Sequence, residues 1–593
     1  MTASASAAGG IAGSSRGTVS FCTMRGGYVS AGKASNGTSN AGGLVGSSGS
    51  SVDTDGAVES CVLDPPEGGL TVKGEGNYVG GLVGTNNGSL KDNAVPAVQP
   101  VRVSGGSSVG GLVGYLQTGS LRQYENGENF TVNGTGIRVG GIAGEARVGI
   151  SGEPDRPVVN TATVHSESYN VGGIVGENKE NAIVIQYCEN RGKVSSAERN
   201  AGGVSKMEIV RCINEGEVRH SGNTAGNGNT GGIVGGAGAT RIEECDNRGA
   251  VTAVPLGLGG IAGQATDGSV LVNCRNSAPV GAAGGPGTAG GIAGAAVGST
   301  IETCENSGEV RADGGTVGGI VGSLRAGSRL EDSRNTAPVA GGANTGGLAG
   351  KVDNSALWQS VNTGAVVGGS QTGGLAGSAD GKSTLESSDN TAAVRGDTNT
   401  GGLVGSLEGA LDDCLNLGAV EGRASSRGGL AGKRTDDAVI TDSFYYADPS
   451  DGIRSVGAGT VYTPADSPAE NEPPADRRLT AVLFEENGVP APDFTDRAAV
   501  RAALESLPWP LAVMEEEEVP PDDPLPPEAS TPEGEDAAPP ADDPSGGPSE
   551  DGPSGSSSEE AAPVEPPPEE ASSSPEPSSV PDDPAEGGEP PAS

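Results

Sequence analysis

Apolar residues along most of this chain fall in short runs bounded by Gly, Asn or Ser, and none of these runs keeps the three-to-four-residue spacing of an amphipathic helix. The runs repeat. Fifteen times the chain reads Gly-Gly, an aliphatic residue, Val or Ala, then Gly, from Gly9 and Gly42 through Gly172, Gly231 and Gly318 to Gly428. The intervals run from 27 to 38 residues and settle at 27 or 28 from Gly318 onward, the period of a stacked solenoid rather than of separate domains. One copy, Gly202-Gly-Val-Ser-Lys206, is broken, which puts a regular coil there in question.

A second landmark lies midway between glycine signatures: a small residue, any residue, then Asn, commonly followed four positions on by Val. It reads Cys188-Glu-Asn190, Cys212-Ile-Asn214, Cys245-Asp-Asn247, Cys274-Arg-Asn276 and Cys304-Glu-Asn306. It continues as Ser333-Arg-Asn335, Ser360-Val-Asn362, Ser388-Asp-Asn390 and Cys414-Leu-Asn416. Two β-prone segments separated by Asn and Gly predict two strands per repeat, with Asn turning the corner in a left-handed conformation. A unit this short cannot bury an apolar face alone. The aliphatic residues of the signature, Leu82, Ile174, Ile233, Ile320 and Leu403 among them, must therefore pack on their copies above and below. The expected fold is all-β, a parallel β-helix (solenoid) on the order of 70 Å long at about 4.8 Å per coil. A β-propeller would need about 40 residues per blade.

Each landmark has a structural and a chemical reading. Gly-Gly-x-x-Gly resembles a phosphate-binding turn, but no helix follows it, so close backbone approach explains it better. Six of the eight cysteines share one repeat position with Ser333, Ser360 and Ser388, which predicts a small inward slot and a ladder of buried thiols rather than a disulfide framework. The Asn column predicts a ladder of amides bonded from coil to coil. A calcium array would need a repeated Gly-Gly-x-Gly-x-Asp, which is missing, and there is no CxxC pair for zinc.

Gly172-Gly-Ile-Val-Gly176, Gly231-Gly-Ile-Val-Gly235, Gly401-Gly-Leu-Val-Gly405 and their copies resemble the GLUG motif. This is a repeat of bacterial surface and secreted proteins, including adhesin-like proteins and the non-catalytic regions of some immunoglobulin A peptidases. The resemblance covers residues 9 to about 446, and Ile440-Thr-Asp-Ser-Phe-Tyr-Tyr446 is similar to the aromatic strand that closes such arrays. It implies a right-handed, extracellular β-helix and implies no ligand.

Three regions follow: a repeat array over 1–446, a small C-terminal cap or linker over 447–514, and an acidic Pro/Ser/Gly-rich stalk over 515–593. In the second, Leu479–Phe484 reads as a strand, Thr495 as the cap of a short helix over Arg497–Leu504, and Trp509 as a source of apolar area, together closing the open end of the solenoid. The third holds 24 of the 77 acidic residues and no Lys or Arg, a composition that stays disordered and extended. With a net charge of −41, nothing in the chain would neutralise nucleic-acid phosphates or an anionic membrane surface. No stretch approaches a membrane span, and the start, Met1-Thr-Ala-Ser-Ala, has no secretion signal. The array is under way at Gly9, so an upstream portion is expected, and the end shows no sortase-type motif or other anchor. Extracellular or cell-surface placement rests on the resemblance and the stalk.

The inventory for catalysis is thin. The two histidines, His165 and His220, belong to no HExxH pair and read as surface residues, and no Gly-x-Ser-x-Gly elbow is present in a strand-to-helix setting. A polysaccharide lyase or glycoside hydrolase on a β-helix is the enzymatic alternative. Adjacent carboxylates such as Glu243 and Glu244 read as a solvated face, however, and aromatics are only 3% of residues, few for a sugar groove. No catalytic, cofactor-binding or metal-binding residue is assigned and no cofactor is expected. The expectation is a non-catalytic, monomeric rod that works as an adhesin-like display or binding module for an extracellular protein or polysaccharide, or else as a purely structural spacer. The long intervals from Gly42 to Gly80 and from Gly140 to Gly172 are where binding loops would lie, and the second carries Arg147, Asp155 and Arg156.

Overall fold

The computed structural model describes residues 2–508 apart from 4–6, 36, 51–55, 96–97, 123–124, 179–182, 198–202, 206, 223–227, 254–256, 283–286, 449–450 and 460–476. The chain divides into compact units Met1–Glu516 and Glu517–Ser593, and every described residue belongs to the first. The expected stalk over 515–593 and Trp509 lie outside the described residues.

The array is a parallel β-solenoid. Its coils are more finely divided than the sequence suggests: a typical one runs Thr288–Gly290, Ala293–Val297, Thr300–Glu302, Glu305–Asn306 and Val310–Ala312, five short strands instead of two. Each strand pairs in parallel with its copy, Ala289 with Val317, Ile301 with Leu330, Asn306 with Asn335 and Val310 with Val339. Strands of two or three residues are too short to show alternation, which is why the sequence hid them. The strands built on Val310 and its copies form one fifteen-stranded sheet along the array, the valine face. The other faces are divided. The signature face comprises two six-stranded sheets followed by a seventeen-stranded one, the aliphatic face a four-stranded and an eleven-stranded sheet, and the asparagine face a two-stranded and a twelve-stranded sheet.

Inside the coil the two sequence landmarks meet. A Cβ at Gly319 would collide with the Asn335 amide, and one at Gly291 with that of Asn306, so in the coils that carry the asparagine the second glycine of the signature makes room for it. A Cβ on the first glycine, Gly318, would strike the Val321 carbonyl. Glycine is required here by close approach, as its spacing indicates. Leu82, Ile320 and Leu403 are fully buried in the core, whereas Ile174 and Ile233 are only partly covered.

The amide ladder forms as expected. Side-chain amides link coil to coil at 2.6–2.8 Å from Asn126 through Asn160, Asn190, Asn214, Asn247, Asn276, Asn306, Asn335, Asn362 and Asn390 to Asn416. Most of these amides also bond the carbonyl two residues on, as Asn306 does to Gly308 at 2.9 Å. Buried amides satisfied on both sides hold the coils in one register.

Asn does not turn the corner, contrary to expectation. The left-handed residue lies three positions earlier and is seldom Asn and never Gly: Phe21, Ser60, Asp92, Tyr187, Arg211, Glu244, Asn273, Thr303, Asp332, Gln359, Ser387, Asp413 and Asp442 all have φ between 40° and 53°. The coil imposes this conformation on whatever residue occupies the corner.

At the C-terminal end Tyr445 takes the place of the next asparagine, pairing with Asn416 in register, and its hydroxyl bonds the Ile453 carbonyl at 3.1 Å. Strands Arg454–Gly459 and Arg478–Leu479 extend the signature and asparagine faces. Two helices follow, α1 (Ala481–Glu486) and α2 (Arg497–Glu505). Two sequence readings are corrected here. Leu479–Phe484 is mostly helix, capped by Thr480, and the cap of α2 is Asp496, not Thr495, whose hydroxyl is taken by Asp493. The helices also do not lie over the open end. Leu483, Phe484, Val500 and Leu504 form a second core with Leu415 and Phe444, and Arg497 and Arg501 pair with the buried Asp389, so the helices brace the flank of three successive coils.

Candidate functional surfaces

One interior slot runs the length of the array, just after the left-handed corner, and it holds all eight cysteines. Register places Cys22 beside Cys61, and a separate run stacks Cys188, Cys212, Cys245, Cys274 and Cys304. Ser333, Ser360 and Ser388 follow, then Cys414 and Ser443. All eight thiols are free, and all but Cys22 are buried. Burial pushes the Cys245, Cys304 and Cys414 thiols up. Thiol and hydroxyl use the slot differently. Each Ser oxygen accepts from the backbone of the preceding coil, as Ser360 does from Ser333 N–H at 3.1 Å, while the Cys304 thiol donates to the Glu302 carbonyl at 3.3 Å and the Leu271 carbonyl at 3.6 Å.

The array has a seam. Asn190 and Asn214 are 24 residues apart, against 26 to 34 for the other steps of the ladder. Strand Gly203–Ser205 pairs with Gly236–Gly238, beyond the signature of that coil, whereas a regular signature pairs Val234 with Ala262. Strand Gly203–Ser205 is therefore out of register with the regular signature, and the signature sheets stop at Val171–Gly172 and Val175–Asn178 before resuming at Gly203. A cavity of about 60 Å³ opens beside it, lined by Ile174, Ile185, Cys188, Met207, Cys212 and Ile233 among others. Core residues sealed elsewhere keep a trace of exposure here, 7% at Val175, 6% at Ile185 and 4% at Cys212.

Two surface hollows lie before and around the seam. A hollow of about 640 Å³ between Gly119 and Glu153 marks where the two aliphatic-face sheets fail to join, and another of about 460 Å³ lies over Lys73, Glu75, Asn133, His165 and Glu167 on the valine face. Between them runs a strip on the signature face. Tyr78 stacks on Tyr115 with ring centroids 4.8 Å apart, Arg147 lies 5.6 Å over Tyr115, and Arg138 pairs with Glu145 at 3.4 Å and with Glu177. Burial, reinforced by the charge of Glu145, raises the Tyr78 hydroxyl pKa. Of Arg147, Asp155 and Arg156 in the long Gly140–Gly172 interval, Arg147 joins this strip. Arg156 makes a small bridge with Glu153 and reaches Asp92 at 3.8 Å, and Asp155 sits in the exposed turn between them.

His220 is not a surface residue. It is buried, 3.1 Å from Ser196 through Nδ1, its Nε2 has no partner, and burial lowers its pKa from 6.5. The small neighbours Ser166 and Ser196 of the same interior column could not announce this. His165 is half-buried and meets Ser195 at 2.9 Å. Glu243 and Glu244 are separately engaged, by Arg241 at 2.9 Å and by Arg211 at 2.6 Å, and the Arg211 bond lowers the Glu244 pKa. Among the described residues no three His, Cys, Asp or Glu side chains surround a common point, and no helix is long and apolar enough to cross a membrane.

Fold and surfaces define a parallel β-solenoid with an internal amide ladder. Comparison with protein-family models, with curated proteins and with solved structures finds no match for this chain.

Proposed function

We propose that this chain is a non-catalytic display module, adhesin-like and exposed at a bacterial cell surface or secreted, in which a regular rod presents an irregular binding region. The observation that carries this reading is the pair of hollows between Lys73 and Glu177 that flank a strip of tyrosines, arginines and glutamates. Stacked aromatic and charged side chains suit a polysaccharide or an extracellular protein, and weak contacts at several coils would add through multivalency. Surface placement is supported by the GLUG-like repeat and the acidic tail composition.

The test is dilute protease on intact producing cells, with the released peptides identified by mass spectrometry. Release of tail peptides, with the array largely uncut, supports display on a stalk. Release only after lysis overturns it. The even coils beyond Gly231 favour a second reading, a structural spacer. A Tyr78→Ala/Arg147→Ala protein that adheres to polysaccharide-coated and matrix-coated surfaces as wild type does would select it.

A further inference from the structure

The thiol run and the seam cavity coincide. Five free cysteines stack in consecutive coils from Cys188 to Cys304, and the cavity touches the first two, Cys188 and Cys212. Adjacent parallel strands lie about 4.8 Å apart. A metal–sulfur bond of about 2.3 Å taken twice spans about 4.6 Å, so an ion seated between register-matched sulfurs of neighbouring coils would be bound in line. Ions that need three or more His, Cys, Asp or Glu ligands are poorly served, since the described residues offer no such cluster. Soft thiolate donors select soft ions, and an in-line pair suits those of filled d shell such as copper(I) and silver(I). The surrounding Ile185, Met207 and Ile209 exclude water and repel hydrated hard cations, while the incomplete seal at Val175 and Cys212 gives a way in.

We propose that Cys188 and Cys212 form a two-coordinate site for a soft monovalent metal ion, reached through the seam cavity. Binding converts two thiols and M⁺ into a bis-thiolate complex of net charge −1 and releases two protons to solvent, with no change of oxidation state. Affinity therefore rises with pH. The deeper thiols Cys245, Cys274 and Cys304 are outside the cavity lining and take no part in the first equivalent.

The test uses the full chain, reduced and kept free of oxygen, in a Cys22→Ser background that removes the separate Cys22–Cys61 pair. Silver(I) is the probe, with stoichiometry read by mass spectrometry under native conditions and ligation by X-ray absorption. One equivalent held by two sulfurs is expected. Cys212→Ser loses it and folds normally, because Ser fills this slot at Ser333, Ser360 and Ser388. Cys414→Ser, whose slot neighbours are Ser388 and Ser443, keeps it. Equal silver retention by the Cys212→Ser protein overturns the proposal. So does no retention by the folded Cys22→Ser protein when the same chain, denatured, takes silver up.

Discussion

The first three coils and the coils beyond the seam share one backbone plan and fill the same interior column in opposite ways. In the early coils the column holds Met24, Leu63 and Val95, register-matched and apolar. From Asn126 onward it is an amide ladder. Apolar contacts reward burial without fixing which coil residue meets which, whereas a buried amide satisfied on both sides tolerates a single register. Coil length follows suit: signature intervals reach 38 residues early and hold at 27 or 28 late.

Exchanging the two fillings gives the sharpest contrast. Asn306→Leu strips Asn276 of its acceptor and Asn335 of its donor, and should cost about 4 kcal/mol, seen as lost hydrogen-exchange protection in coils 276–335. Leu63→Asn buries an amide between Met24 and Val95 and should cost about 3 kcal/mol by denaturant titration. If the early coils accepted Asn without loss, the column would not be what separates the two regions.

The regular coils also lean on the flanking helices. Asp389 is wholly buried against Arg501 and Arg497, so Arg501→Ala should cost about 3 kcal/mol locally. Protease sensitivity should then appear in α1 and α2 while the 288–312 coil stays protected.

A smaller effect has the opposite sign. The residue before the signature is Val79, Val109 and Val139 in the early coils but Thr345, Thr372 and Thr400 late, where each buried hydroxyl has no partner. Thr372→Val should raise stability by about 1 kcal/mol, measured as a higher unfolding midpoint.

His220 provides the least effect at neutral pH. Its folded pKa lies below the unfolded 6.5, so the unfolded chain binds the proton first. Stability is complete above pH 6.5 and declines as the pH falls through 6.5 toward the folded value. His220→Ser, matching Ser196 beside it, should remove that part of the acid sensitivity.

Period, glycine signature and Asn spacing were enough to read the solenoid, because each records a contact between neighbours in a stack. The thiol slot was legible wherever Cys preceded Asn by two, and Cys22 and Cys61 escaped because Met24 and Leu63 stand where Asn would. The seam was masked by Gly202, whose distances of 30 and 29 residues to its neighbours look ordinary. The informative spacing was Cys188 to Cys212, 24 residues, since the slot follows the true coil and the signature had slipped. The helices' position depended on Asp389 meeting Arg501 across 112 residues, which no local pattern encodes.

The left-handed corner has a consequence for how such a rod can change over generations. Its angles are held by the coil and accept Phe, Asp, Tyr, Arg, Glu, Asn, Thr, Gln and Ser alike, with Phe21 standing 84% exposed. One row of side chains along the molecule is thus written independently of the fold, like type set in a fixed frame. New surface chemistry can be tried there a residue at a time without disturbing the coils that carry it.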